Sequence, residues 1–286
     1  MTSGTRRLLV LILLLGGATG IRPARSGTAA ANGAGDVQVL NVTARPPRAG
    51  KGVVIDFNNF YGNVTGRPAT PLRTVIIHWP HDMWWNGPRF PQCDPERLRT
   101  DGLSGCPEGS VFAHGTVEVD ARPLIADPLR GTITAFVGTP AGGMSQVFLL
   151  EFDAVPPVIL VGEFSPDPQG PPYGYMQTFD LSDVPPVALT NFDLVDVART
   201  ITVPSPGGRR ILPLTRAPRR CNDYWEYAST YLYASGDSLT ATSRQPCVGR
   251  PGKPPRRESF WRGSTGRSRR PALTPITPGR DTVRMP

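Results

Sequence analysis

The sequence predicts an all-β fold, an antiparallel sandwich of the immunoglobulin-like kind. Three observations carry that expectation. Between residues 36 and 247, short runs of alternating or β-branched residues recur about eleven times, with almost no helical periodicity. Proline and glycine, 33 and 31 of the 286 residues, punctuate these runs as turn and edge residues do. Four cysteines fall into two close pairs, Cys93/Cys106 and Cys221/Cys247, the usage of disulfides in an exported chain rather than of metal thiolates.

The elements follow in order. Residues 1–20 have the parts of a secretory signal: Arg6 and Arg7, the apolar run Leu8 to Leu15, and the small-residue site Ala18-Thr19-Gly20. The stretch from Leu8 to Ala18 is 11 residues long, short of the ~17–25 that span a bilayer as a helix. Residues 21–35 read as a flexible linker and 36–247 as one β domain. Strands are expected at Val37–Thr43, Gly52–Asn58, Arg73–Trp79, Val111–Asp120, Arg130–Val137 and Gln146–Asp153. Others are expected at Val158–Phe164, Tyr173–Leu181, Phe192–Val203, Trp225–Ala234 and Ser238–Ser243. Trp225, Tyr227, Ser229, Tyr231 and Tyr233 share one face of their strand, and Ser235-Gly236-Asp237 is a hairpin turn with Gly236 free to take positive φ. Pro156-Pro157 and Pro185-Pro186 begin or flank strands and block edge pairing.

The exception to β lies between the first two cysteines. Asp94 is placed to cap a helical turn with Pro95 at its first position, Glu96 at the positive end of its dipole and Gly102 as its stop. Four cysteines allow three pairings. Adjacent pairing closes two compact loops, worth about 3 and about 3.5 kcal/mol in the chain-entropy account.

The segment Cys93-x-x-x-Arg97-Leu98 … Gly105-Cys106-Pro107-x-x-Ser110 … Gly115 resembles one shared by a family of exported, uncharacterised β proteins of high-GC bacteria. Ile133 to Gly138, Tyr173-Gly174-Tyr175 and Cys221 … Tyr233-Ala234-Ser235-Gly236 … Cys247 extend the resemblance over nearly all of 36–247. Only two of the 31 basic residues are lysines, in keeping with such an origin. The resemblance implies export and a β fold, and carries no activity with it.

Charge is concentrated at the ends. Residues 1–35 carry +4 and 248–286 carry +8, leaving −4 on the body. Nucleic acid is therefore disfavoured as a partner of the folded part. The tail 248–286, rich in Arg, Pro, Gly and Ser, cannot bury enough surface to order itself. Its implied partner is an anionic envelope polymer or a membrane surface.

No catalytic motif is present: no Gly-x-Ser-x-Gly elbow, phosphate-binding glycine loop or His-Glu-x-x-His. His78, His81 and His114 lack the spacing of a metal site, and no cofactor is implied. Glu118/Asp120 and Glu151/Asp153 place paired acids on strand faces, a weak hint of glycoside chemistry. The best candidate site is the aromatic loop of Trp79, Asp82, Trp84, Trp85 and Arg89, whose flat indoles could stack on sugar rings. The expectation is a secreted or envelope-associated, non-enzymatic protein that works by adhesion or by binding a ligand such as a glycan. A secreted hydrolase with a site assembled from distant residues is the alternative.

Overall fold

The computed structural model describes residues 26–47, 52–81, 83–139, 144–185, 187–217, 220–221, 224–246 and 250–251. The predicted signal, Asp82, Cys247 with its pairing to Cys221, and the tail apart from Arg250–Pro251 lie outside the described residues.

The first half of the chain contributes β1 (Ser26–Gly27), β2 (Ala29–Ala31), β3 (Asp36–Arg45), β4 (Val54–Asn63), β5 (Leu72–Pro80) and β6 (Trp84–Trp85). After the helix α1 (Pro95–Asp101) come β7 (Val111–Asp120), β8 (Leu129–Gly138), β9 (Met144–Phe152), β10 (Val158–Pro166) and β11 (Tyr173–Asp180). Then follow β12 (Ala188–Asp196), β13 (Thr200–Ser205), β14 (Gly208–Pro213) and β15 (Thr215–Arg216). The last are β16 (Arg220–Cys221), β17 (Tyr224–Tyr233), β18 (Ser238–Pro246) and β19 (Arg250–Pro251).

All-β is what forms, but not a sandwich. A single 13-stranded sheet, in the order β1-β18-β17-β5-β11-β10-β9-β8-β7-β12-β4-β3-β2, curls into a nearly closed barrel. Alternation along each strand sends one side chain inward and the next outward, as in β3, where Leu40 and Val42 are buried between partly exposed neighbours. A sandwich and a barrel demand the same alternation, so local pattern could not separate them.

Closure has a particular geometry. Apart from β1 and β2 the sheet has eleven strands, each antiparallel to its neighbours. An odd number leaves the two outermost, β3 and β18, pointing the same way, so they cannot form an antiparallel ladder with each other. The residues just before β3 fill that gap. β1 pairs antiparallel with β18 (Gly27 opposite Ser243), and β2 pairs antiparallel with β3 (Ala30 opposite Gln38). Where the strap ends, side chains take over: the Val42 N–H donates to Ser243 Oγ at 3.0 Å and the Ala44 N–H to Gln245 Oε1 at 2.6 Å. The segment 21–35, read as a linker, thus contributes strands to the sheet from Ser26 onward.

The strand directions put residues 64–71, 121–128, 153–157 and 181–185 at one end of the barrel, here the upper end. The connections that follow β5 and β12 leave from the lower end, which puts the β6–β15 pair there. α1 forms as its sequence dictates: the Glu96 N–H donates to Asp94 Oδ1 at 2.9 Å, with proline in the first turn. It lies outside the barrel, where Leu98 and Cys93 pack with Phe136, Val147 and Leu149 in a second, smaller core. The Cys93–Cys106 disulfide closes the loop around it and is consistent with an extracytoplasmic location.

Candidate functional site: an apolar chamber inside the barrel

The inward faces of the strands meet across the barrel in places, as where the Asn59 amide donates to Ser229 Oγ at 2.8 Å and Tyr61 meets Tyr231 edge-on at 5.1 Å, but not throughout. They enclose a chamber of about 510 Å³. Ile77 and Val75 of β5, Phe148 and Leu150 of β9, Phe179 of β11 and Phe192 of β12 represent its walls. Leu124, Ile125, Val155, Pro156, Val184 and Pro185, from three upper-end loops, rim it. The side chain at the tip, Leu124, is 74% exposed, so the apolar lining continues to the surface at that end.

Aromatic rings set the shape of the walls. Phe148 meets Phe179 edge to face at 5.2 Å, and Trp79 stacks with Tyr175 at 6.4 Å and meets Tyr227 edge-on at 6.0 Å. Lower down, Trp85 meets Phe112 edge-on at 5.1 Å and stacks with Phe164 at 6.2 Å. Such pairs hold the rings in fixed orientations, so the walls resist collapsing into the space.

Polar groups on this lining are few. The Trp79 Nε1–H donates to Gln177 Oε1 at 3.3 Å, and the Gln177 amide to Gln146 Oε1 at 2.9 Å, a chain that satisfies two buried amides. Asp196, at the lower end of β12, is the one acidic or basic side chain among the described lining residues. Burial pushes its carboxyl up to about 7, despite hydrogen bonds from the Ala198 and Ile55 backbone that favour the charged form. Trp85, Thr215 and Tyr231 are lining residues whose polar atoms Nε1, Oγ1 and Oη are themselves buried in the wall, with no hydrogen-bond partner among the described residues.

The sequence-predicted binding residues are divided by the barrel wall. Trp79 and Trp85 line the chamber, with Trp85 only 6% exposed. Trp84 is half-buried elsewhere: its Nε1–H donates to Asn86 Oδ1 at 2.8 Å, and the Arg216 guanidinium lies 5.4 Å over its ring. Arg89 is exposed at the end of a short 3-10 turn, and Asp82 lies outside the described residues. These residues do not make one surface.

His78 and His114 are separated by four intervening strands, β11, β10, β9 and β8. Among the described residues no group of His, Cys, Asp or Glu is arranged to hold a metal ion. His78 sits on the outer face of β5, buried, with Nδ1 2.6 Å from Asp167 Oδ2 and Nε2 3.3 Å from Thr230 Oγ1. The linkage fastens the β10–β11 connection to the outside wall, helped by Tyr173, whose hydroxyl donates to Glu226 at 2.9 Å. Of the paired acids, Glu118 bonds Arg130 and Asp120 bonds Arg122, ion pairs of a sheet surface.

Sequence reasoning did not select Gln146, Phe148, Gln177, Tyr231 or Thr215. The alternation Gln146, Phe148, Leu150, Phe152 marks an inward face, but a face turned to a void and one turned to a packed core look alike. Comparison of the chain with protein-family models, with curated proteins and with solved structures finds no match.

Proposed function

We propose that this protein binds an apolar small molecule inside its barrel, as an exported, non-enzymatic carrier or receptor. The chamber is the observation that carries the reading. Interiors normally pack with few voids larger than a water molecule. An unfilled space of about 510 Å³, at ~24 cal/mol per Å³, would cost on the order of 10 kcal/mol relative to a filled core. That is as large as the whole stability of a typical domain, about 5–15 kcal/mol. A sequence selected for stability alone would fill the space with larger side chains, whereas a ligand gives it a use. Its volume is that of a pocket for a drug-sized molecule.

The inward placing of Trp79 and Trp85 moves the binding reading from a glycan on an aromatic surface loop to a hydrophobic molecule in the interior. The apolar rim at Leu124, Ile125, Val155 and Val184 supplies a way in at the upper end. Attachment to an anionic envelope through the Arg-rich tail would complement this role and keep the carrier near its source.

The test is uptake of the neutral fluorophore N-phenyl-1-naphthylamine by the purified protein. Saturable blue-shifted emission at one molecule per chain is the expected result. Val119→Trp, a change that grows into the chamber, should lower the affinity at least tenfold while the near-ultraviolet circular dichroism of the fold is retained. No saturable uptake by the folded wild-type protein would reject interior binding.

A further inference from the structure

We infer that the chamber holds its apolar occupant in a proton-linked way, through Asp196: binding is strong at mildly acidic pH and weakens in alkaline medium. This rests on the interior-binding reading above and adds its regulation. Asp196 has a particular place in the wall. It follows Leu194 by two residues on β12, so the two share the inward face, and it lies opposite Ala113 of β7. Its carboxyl also accepts from the Ile55 backbone of β4. Leu194, Ala113 and Ile55 all line the chamber. On its other side Asp196 lines a surface recess together with Arg45, Pro46, Pro47 and Val54. The residue therefore stands between the chamber and solvent at the lower end, where a proton can reach it while the chamber is occupied.

The surroundings of the carboxyl favour its neutral form. Burial is the largest influence and raises it to about 7, against hydrogen bonds from the Ala198 and Ile55 backbone; the charge of Asp56 adds to the rise and that of Arg45 opposes it. The nearby charged groups are committed elsewhere. Arg45 of β3 is ion-paired with Asp56 of β4 at 3.4 Å. Arg199, three residues on, donates to the Val111 and Glu108 carbonyls. His114, next to Ala113 on β7, is exposed on the outer face. Among the described lining residues there is no Lys, Arg or His.

An apolar occupant strengthens the preference for the neutral form. It excludes water from the inner side of the carboxyl, and the ionised form loses solvation that no cation on the lining replaces. Occupation thus raises the proton affinity of Asp196. Linkage is reciprocal, so the protonated residue favours the occupant by the same factor. The sign follows from the direction of the shift. Below the pKa of the empty protein the carboxyl is neutral with or without an occupant, and affinity does not change with pH. Above it, binding takes up a proton and weakens as the pH rises, by up to about tenfold per unit.

The test is titration of N-phenyl-1-naphthylamine, which stays neutral throughout, into the purified protein at pH 5.5 and pH 9, with near-ultraviolet circular dichroism showing the fold at both. The affinity is expected to be about tenfold lower at pH 9, the effect of a further rise of one pKa unit on occupation. Asp196→Asn should bind at pH 9 about tenfold more tightly than the wild type and lose the dependence on pH. A second measurement needs no variant: calorimetric titration of the wild type at pH 7.5, in two buffers of different ionisation enthalpy, should show net proton uptake on binding. Equal wild-type affinity at the two pH values, a tenfold loss that persists in folded Asp196→Asn, or binding at pH 7.5 without proton uptake would each overturn the linkage and leave interior binding standing. If the folded protein binds no fluorophore at either pH, interior binding itself falls, and the linkage with it.

Discussion

Two carboxyls, the buried Asp36 and the half-buried Asp196, are treated in opposite ways by their surroundings. Burial raises Asp36, but hydrogen bonds from the Thr70 hydroxyl at 2.6 Å, the Asn63 amide at 2.9 Å and the Asn32 amide at 3.1 Å outweigh it. Its pKa is therefore held below the usual carboxylate value, and the ion ties the strap, β3, β4 and the 64–71 crossing together. Stability from Asp36 is present above its unfolded pKa, about 3.9, and is lost as the pH falls through the lower folded value. Asp196 has burial without enough compensation, and its carboxyl rises to about 7. Here the folded state holds the proton more tightly than the unfolded chain, so stability declines as the pH rises from about 4 towards the folded value. Asp196→Asn keeps the side-chain oxygen that accepts from Ala198 and removes the charge. It should leave stability unchanged at pH 4 and raise it by up to a few kcal/mol at pH 8. Urea denaturation of both proteins at the two pH values would show this; equal midpoints at pH 8 would refute it.

At the scale of elements, α1 shows how a short helix survives outside the barrel. Seven residues are too few to hold a helix by propensity, and packing, cap and cross-link must supply the rest. Leu98, 1% exposed, supplies the packing and Asp94 the cap. The disulfide fixes both ends of the loop, while Cys93 also bonds β8 through Val137 and Thr139. Replacing Cys93 and Cys106 together by Ala should cost about 3 kcal/mol on the chain-entropy account. Chemical denaturation should show that loss, and added reductant should then change the double variant no further through this bond.

Local chemistry made this element legible: Asp94, Pro95 and Gly102 each act where the sequence predicts. So does the 234–237 hairpin, with Gly236 at φ 90°. The strand at Val111–Asp120 matches its expected bounds, whereas Phe192–Val203 splits into β12 and β13. Ala198, at φ 55°, bends the chain between them, and nothing in its residue type announces a positive φ. The strap was illegible for a related reason. Ser26-Gly27-Thr28-Ala29-Ala30-Ala31 has no β pattern of its own and becomes strand only because two like-directed edges need an antiparallel neighbour.

At the scale of the whole molecule, strand order decides between sandwich and barrel, and strand order is written in no local segment. β5 joins β17 and β11, and β12 joins β7 and β4; both placements depend on crossings over the ends. The candidate site shares that fate. Trp79 and Trp85 were legible as aromatics of interest, but whether they faced solvent or a chamber followed only from closure. The strap makes closure testable. A Cβ on Gly27 would lie 2.6 Å from the Leu40 carbonyl oxygen, closer than a side chain can sit. Gly27→Val should displace the strap and speed amide exchange along β3 and β18 while leaving β8 to β10 protected. Unchanged exchange at both edges would show that the barrel does not depend on the strap.

The seam also dictates an order of events in time. Gly27, near the beginning of the chain, pairs with Ser243, near the end of the β region. A contact so distant in sequence carries a large loop-closure cost and forms late. During synthesis the strap emerges before the rest of the sheet and waits for β18, which emerges after every other strand of that sheet. The earliest residues of the body are thus the last to find their place, and until they do the two unpaired edges are open to any other strand.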